Sequence, residues 1–185
     1  MLKADVIHRP TATDQWGETA LHNLLWQDPL PLPLLNALIE SGADINFIDK
    51  DGQQPLWEVC CKGSAEGCRI LLDHGADIQH ADSEGATALR AAAGFSGSLD
   101  CVKLLTERGA SITRTDNHER TPFYHACAEG HAECAKHLIS AAHDQDHHET
   151  IYQAGADGRT PFGKACGRYI EWEPHRHVIR DHTAF

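Results

Sequence analysis

Aromatic residues are scarce in this chain: Phe, Trp and Tyr make up 6% of its 185 residues, and it has one Met. Its core must therefore consist mainly of Leu, Ile, Val, Ala and Cys side chains. No apolar run approaches the ~18 residues of a membrane-spanning helix, and residues 1–14 lack the hydrophobic stretch of a secretory signal. These absences favour a soluble protein, which we expect in the cytoplasm, with the nucleus or secretion as an effector left open.

Positive charge is also in short supply, because 16 Lys and Arg residues stand against 27 Asp and Glu residues, giving a formal charge of −11. An acidic surface repels the phosphate backbone of DNA and RNA, so the composition argues against nucleic-acid binding. The same surface would attract a basic protein. With 41% apolar and 23% charged residues, the chain has the composition of one soluble globular domain.

The seven cysteines form no recognisable metal-binding or disulfide pattern. An odd number leaves at least one thiol without a partner in the same chain. No two cysteines have the Cys-x2-Cys spacing of a zinc site. Cys61 directly follows Cys60, which disfavours a redox pair, and we expect Cys60, Cys127 and Cys166 to be small buried thiols at equivalent positions.

A four-residue motif recurs five times at intervals of 33 to 39 residues, beginning at Thr19, Gln54, Thr87, Thr121 and Thr160. A second motif, Gly-Ala-Asp-Ile or Gly-Ala-Ser-Ile, follows in step at Gly42, Gly75 and Gly109. The period and the Thr-Pro-Leu-His-like opening resemble the ankyrin repeat family over roughly residues 15 to 168. The resemblance implies an all-α solenoid of stacked helix-turn-helix units joined by β-hairpin-like turns.

Each recurring residue suits a place in a helix pair. A Thr such as Thr121 can cap a helix, and Pro122 then falls at the first helical position, where a missing N–H costs nothing. Apolar residues three and four apart give the second helix one buried stripe. A Gly such as Gly109 can close that helix in the left-handed conformation. Local signals and the repeat therefore agree.

We predict a single domain, because stacked repeats share one continuous core. Its parts are an N-terminal cap at 1–14, repeats at about 15–49, 50–82, 83–116 and 117–155, and a degenerate repeat or C-terminal cap at 156–185.

Three joints depart from the repeat. The prolines of Asp28–Pro33 predict an extended loop, with the second helix starting near Pro33. The joint Gly94–Ser98 carries one extra residue, and Ala142 replaces a closing Gly before a longer loop at residues 143–149. The motif histidine is kept only as His22, so the resemblance supplies its inner hydrogen bonds for the first repeat alone.

A histidine-rich stretch and one serine motif are the remaining candidates for chemistry. Solvated loop residues are the favoured interpretation of His143, His147 and His148, and a metal-binding sensor or enzyme is the alternative. Gly94–Ser98 nearly matches G-x-S-x-G, but that motif requires a strand before it, and here a helix precedes it. We therefore predict no catalytic residues, no metal ligands and no cofactor.

In the family that the chain resembles, hairpin tips and exposed positions of the first helices line a concave groove that holds a protein partner. Carried over by position, the candidate partner-binding residues are Trp16, Trp26, Lys50, Asp51, Gln53, Lys62, Glu84, Phe95, Asn117, His118, Arg120 and Glu129. Trp and Arg are frequent among the residues that dominate binding energy. For Trp16 and Trp26, packing against the N-terminal cap is the alternative.

These observations predict a non-catalytic protein-interaction module, an adaptor or an inhibitor, that acts as a monomer and has no nucleic-acid or membrane partner. The alternative is an acidic neutraliser of a basic protein, such as an immunity protein or a secreted effector, which the charge of −11 motivates.

Overall fold

A computed structural model describes residues 12–145, 147 and 150–167. Within those ranges the chain is helical and has no β-strand, which confirms the all-α solenoid. Its α-helices are α1 (Ala20–Leu25), α2 (Leu32–Glu40), α3 (Pro55–Cys61), α4 (Ala65–Asp73), α5 (Ala88–Ala91), α6 (Leu99–Glu107), α7 (Pro122–Glu129), α8 (Ala132–Asp144) and α9 (Pro161–Gly167).

The helices form two layers. The first helices α1, α3, α5, α7 and α9 pack against one another in that order, and the second helices α2, α4, α6 and α8 do the same. Each first helix of the four complete pairs also packs against the second helix of its own pair. The core therefore runs through the whole stack, as expected for repeats that bury their apolar faces only against neighbours.

Helix starts follow the predicted chemistry. Four threonine hydroxyls accept a hydrogen bond from the backbone N–H three residues later, at 3.1 to 3.5 Å: Thr19, Thr87, Thr121 and Thr160. Helices α3, α7 and α9 begin at a proline. The reciprocal bond of the motif histidine is present in the first repeat, where the Thr19 backbone N–H donates to His22 Nδ1 at 3.2 Å. The Thr19 hydroxyl oxygen also lies 2.8 Å from this nitrogen.

The hairpin tips are built around one aspartate each. Its Oδ1 accepts hydrogen bonds from the amides two and four residues later, at 2.8 to 3.0 Å, in the tips of Asp14, Asp49, Asp82 and Asp116. Backbone hydrogen bonds join neighbouring tips, such as Ser83 N–H to Asp51 O at 3.2 Å. The tips therefore form a continuous edge, and Gly42, Gly75 and Gly109 end the preceding helices at φ 85 to 90°, as predicted.

The core contains a second series of cysteines that the sequence reasoning missed. Cys68, Cys101 and Cys134 recur every 33 residues on the second helices and are at most 1% exposed. The Sγ atoms of Cys60 and Cys68 lie 3.5 Å apart. Burial of Cys60 and Cys127 agrees with their predicted role, whereas the side chain of Cys166 lies outside the described residues.

The structure explains one irregular joint and corrects another. The extra residue at Gly94–Ser98 is taken up by a π-helical turn, Ala92–Ser96, that continues α5. Helix α8 runs through Ala142 and His143 to Asp144, so the predicted loop at residues 143–149 is wrong for its first two residues. Capping of the last helical turn by the backbone of Gln145 makes a closing Gly unnecessary there.

Other predictions about the chain lie wholly or partly outside the described residues. These are the N-terminal cap up to residue 11, three residues of the histidine-rich stretch (146, 148 and 149) and the tail 168–185. Helix α2 begins at Leu32, close to the predicted start at Pro33.

Candidate protein-binding groove

The three aromatic residues predicted to bind a partner are exposed in the structure. Trp26 ends α1 and is 48% exposed, and Phe95 lies in the π-helical turn and is 55% exposed. Trp16, at the first hairpin tip, is 61% exposed. We call the surface formed by these first-helix residues and the hairpin tips the groove.

A lysine from the next repeat holds the Trp26 ring. Lys62 Nζ lies 5.0 Å from the ring centroid and donates a hydrogen bond to the Trp26 backbone oxygen at 2.8 Å. A cation over an aromatic face is attracted by the ring quadrupole. The two predicted residues therefore form one unit across two repeats.

The Phe95 ring has partners on two sides, and both lie outside the predicted site. Trp57 meets it edge to face, with ring centroids 5.7 Å apart, and the Arg90 guanidinium carbon lies 5.0 Å from its centroid. Trp57 and Arg90 stand where the motif histidine stands in the first repeat. That substitution was the signal in the sequence that could have marked them as groove residues.

Arg120 belongs to a buried charge cluster at its hairpin tip. Asp116 Oδ2 accepts hydrogen bonds from Arg120 Nε at 3.0 Å and Nη2 at 2.9 Å, and it lies 2.8 Å from His125 Nε2. Although burial opposes ionisation, the hydrogen bonds from Arg120 and His125 lower the pKa of Asp116 to about 2. Burial, together with the nearby Arg90 charge, lowers the pKa of His125 to about 4, so this imidazole is neutral at pH 7.

A cleft of about 370 Å³ opens between the third and fourth repeats. Its lining residues are Arg90, Gly94, Phe95, Arg120, His125 and Glu129. A Cβ at Gly94 would lie 2.9 Å from the Cβ of His125, so the absence of a side chain there keeps the two repeats close. Three predicted residues, Phe95, Arg120 and Glu129, thus meet in one recess.

A buried carboxyl group lies beneath the first part of the groove. Glu58 is 1% exposed, and its Oε2 has no hydrogen-bond partner among the described residues. Burial, reinforced by the charges of Glu18 and Asp49, raises the pKa of Glu58 to about 9. No sequence signal marks this burial, because Glu58 is one acidic residue among several on predicted helices.

The remaining predicted residues lie on the hairpin tips. Lys50 Nζ donates to the Gln15 backbone oxygen, and Asn117 Nδ2 donates to Ser83 O at 2.9 Å, so both also join neighbouring tips. Asp51, Glu84 and His118 are exposed, and Gln53 is half-buried.

The groove offers aromatic surface, cations and hydrogen-bond donors. Within the described ranges, no group of three or more His, Cys, Asp or Glu side chains is arranged to hold a metal ion. None of the helices described has the length and apolar character that crossing a membrane requires.

Comparison with known proteins gives consistent matches. A family model of ankyrin repeats in three copies matches residues 30–116, and a single ankyrin repeat matches residues 118–148. Cyclin-dependent kinase 4 inhibitor B of Rattus norvegicus is 35% identical over 107 residues, which cover 58% of this chain and 82% of that protein. Protein phosphatase 1 regulatory subunit 27 of Homo sapiens is 44% identical over 103 residues, covering 56% and 61%. Potassium channel AKT1 of Oryza sativa subsp. indica is 35% identical over 95 residues, covering 51% and 10%.

Proposed function

The chain belongs to the ankyrin repeat family, and we propose that it is a non-catalytic module, an adaptor or an inhibitor, that binds a protein through the groove. The membership and the relatives support a protein-interaction role in general. The observation that carries the finer proposal is the pair of exposed rings, Trp26 and Phe95, each with a cation beside it: Lys62 of the next repeat for Trp26, and Arg90 of the same repeat for Phe95.

Held rings are well suited to binding. Aromatic anchors are frequent among the few residues that supply most of an interface's energy. Ordering a free side chain on binding costs about 0.5–1.5 kcal/mol. Because Lys62 and Arg90 already restrict the two rings, part of that cost is met when the chain folds.

The names of two relatives agree with this general mode of action. One is named as an inhibitor of a kinase and the other as a regulatory subunit of a phosphatase. From these names we propose for this chain only that it regulates a partner by binding it. The kinase and the phosphatase are partners named for those relatives. Cys60 and Cys68 are buried free thiols. Reduced thiols are compatible with the cytoplasm, which we propose as the compartment.

The test uses the double variant Trp26→Ala, Phe95→Ala. A partner is first captured from native lysate with the wild-type chain and identified by mass spectrometry, and its Kd is then measured with purified proteins. We expect the double variant to bind at least tenfold more weakly, about 1.4 kcal/mol. A double variant of two exposed apolar residues outside the groove, Leu34→Ala and Ile48→Ala, is the control.

If the Trp26→Ala, Phe95→Ala variant keeps its affinity and the Leu34→Ala, Ile48→Ala variant loses it, the partner binds a surface other than the groove. Circular dichroism of both variants checks that the helices are kept.

The net charge of −11 favours a second candidate, the neutraliser of a basic protein. Attraction between opposite net charges speeds association and weakens as salt rises. An association rate that stays constant between low and physiological salt would contradict this candidate and leave the first one standing.

A further inference from the structure

We infer that the groove receives an acidic segment of the partner, with a carboxylate side chain entering the cleft beside Phe95 and binding the Arg90 guanidinium. The inference rests on the proposed function and adds the chemistry of the occupant. The net charge of −11 favours a basic partner, whereas the cleft would prefer an acidic segment.

The first observation is that Arg90 is half-buried without an ion pair. Its Nε lies 3.3 Å from His125 Nε2. In the part of the chain that the structure describes, no carboxylate oxygen lies within 4.0 Å of its guanidinium, and Nη1 and Nη2 have no hydrogen-bond partner. Burial also lowers the pKa of Arg90, which indicates a charge that is poorly solvated.

The acidic groups near Arg90 do not supply this partner. Asp116 already accepts bonds from Arg120, from His125 and from two backbone amides. Asp82 and Glu84 act on Arg90 only through their longer-range field, and Glu129, which also lines the cleft, forms no ion pair with Arg90. His125 is neutral at pH 7, so the positive charge that lines the cleft comes from Arg90 and Arg120. The guanidinium therefore has donors free for a carboxylate, which it can bind in a two-pronged geometry.

Cations on the second helices are arranged differently. Three of the four Lys and Arg residues at these helices form ion pairs with a carboxylate: Arg69 with Glu66 at 3.6 Å, Arg108 with Asp73 at 2.8 Å, and Lys136 with Glu133. Within the described ranges, Lys103 of α6 has no such pair. In the groove, Lys62 resembles Arg90, because each cation lies over an aromatic ring. The hydrogen bond that Lys62 donates goes to the backbone oxygen of Trp26. Among the described residues, three groove cations, Lys50, Lys62 and Arg90, thus have no carboxylate within 4.0 Å, although the sequence has 27 acidic residues.

The walls of the cleft fit the rest of such a segment. The exposed Phe95 ring offers apolar surface beside the guanidinium, and the cleft of about 370 Å³ has room for a side chain. The Phe95 ring next to Arg90 and the partial burial of the guanidinium lower the local dielectric, which strengthens an ion pair relative to one in water. An acidic residue flanked by apolar ones therefore matches the cleft.

The test is selection from a phage-displayed library of random 12-residue peptides against the wild-type chain, with subtraction on Arg90→Met. We expect the selected peptides to be rich in Asp and Glu next to apolar residues. One such peptide and its matched amide version, Asp to Asn or Glu to Gln, are then measured by fluorescence anisotropy. The amide peptide should bind the wild type at least tenfold more weakly, whereas both peptides should bind R90M equally.

Two further variants make the result specific. Arg90→Lys keeps the charge and should retain part of the preference for the acid. Arg114→Met is the matched control, because Arg114 also lacks a carboxylate partner in the described ranges but lies outside the cleft, where it donates to Gln79 O at 2.7 Å. Urea unfolding of R90M checks that the fold is kept.

Different failures have different meanings. Acidic peptides that bind R90M as tightly as the wild type, or selected peptides rich in Lys and Arg, overturn the inference. If those peptides still lose affinity on Trp26→Ala, the groove binds partners and the proposed function survives. If no selected peptide depends on Trp26 or Phe95, or none is selected, both proposals fail.

Discussion

Glu58→Gln should stabilise the protein, and the gain should grow with pH. The Glu58 carboxyl group is 1% exposed, and its pKa in the fold is about 9 against an ordinary value of 4.5. Below pH 4.5 the group is protonated in both the folded and the unfolded chain. Above it, the unfolded chain loses the proton and the folded chain keeps it, so folding costs about 1.4 kcal/mol more for each pH unit until about pH 9.

The magnitude follows from this slope. Retaining the proton destabilises the fold by about 2 kcal/mol at pH 6 and about 5 kcal/mol at pH 8. A glutamine has the same shape and no proton to lose. The stability difference between E58Q and the wild type should therefore widen by about 3 kcal/mol between the two pH values. The widening requires only that the pKa in the fold lies above 8, and any constant effect of the amide cancels.

Urea unfolding followed by circular dichroism at pH 6 and pH 8 measures the difference. Both values lie above the isoelectric point of about 5.6. Glu66→Gln is the matched control, because it makes the same substitution at an exposed glutamate beside Arg69. A constant difference for E58Q would mean that the carboxyl is ionised in the fold, with Lys62 as the nearby cation, and would refute the reasoning.

Two further predictions concern the hairpin tips and the helix caps. Asp116→Asn removes the charge that binds Arg120 and His125, and should lower the free energy of unfolding at pH 7 by about 1–2 kcal/mol. Because the pKa of Asp116 is lowered in the fold to about 2, that loss should be complete above about pH 4 and vanish as the pH falls toward 2, which acid titration of both proteins will measure. Thr87→Ala removes the cap bond to the Arg90 amide and should cost about 1 kcal/mol in urea unfolding; a cost near zero would mean that the cap adds nothing.

Helix positions in this chain could be predicted because their signals lie within a few residues of one another. Thr121 and Pro122 start a helix through contacts inside its first turn, and Gly109 ends one through its own backbone conformation. Because the motif recurs five times, a helix boundary that is poorly marked in one repeat could be placed by comparison with the others. Where the local signal was ambiguous, as at Ala142 and His143, the predicted loop was wrong, because packing of α8 on α6 continues the helix.

Groove positions were predictable from register, but their interactions were not. Trp26 and Phe95 were found because the repeat assigns them to exposed positions of the first helices. Trp57 and Arg90 were missed, because their contacts with Phe95 depend on side-chain directions that the repeat does not encode.

The sequence by itself determined that this protein is a stack of helix pairs and where most of its helices begin and end. Which residues share one binding surface stays a prediction from the repeat register. Tertiary structure alone decided that Glu58 is buried and protonated, that Lys62 lies over Trp26, and that Arg90 has no carboxylate partner in the described residues. The physical reason is separation along the chain: caps and stops join residues at most five apart, whereas Lys62 and Trp26 are 36 apart and meet only when two repeats stack.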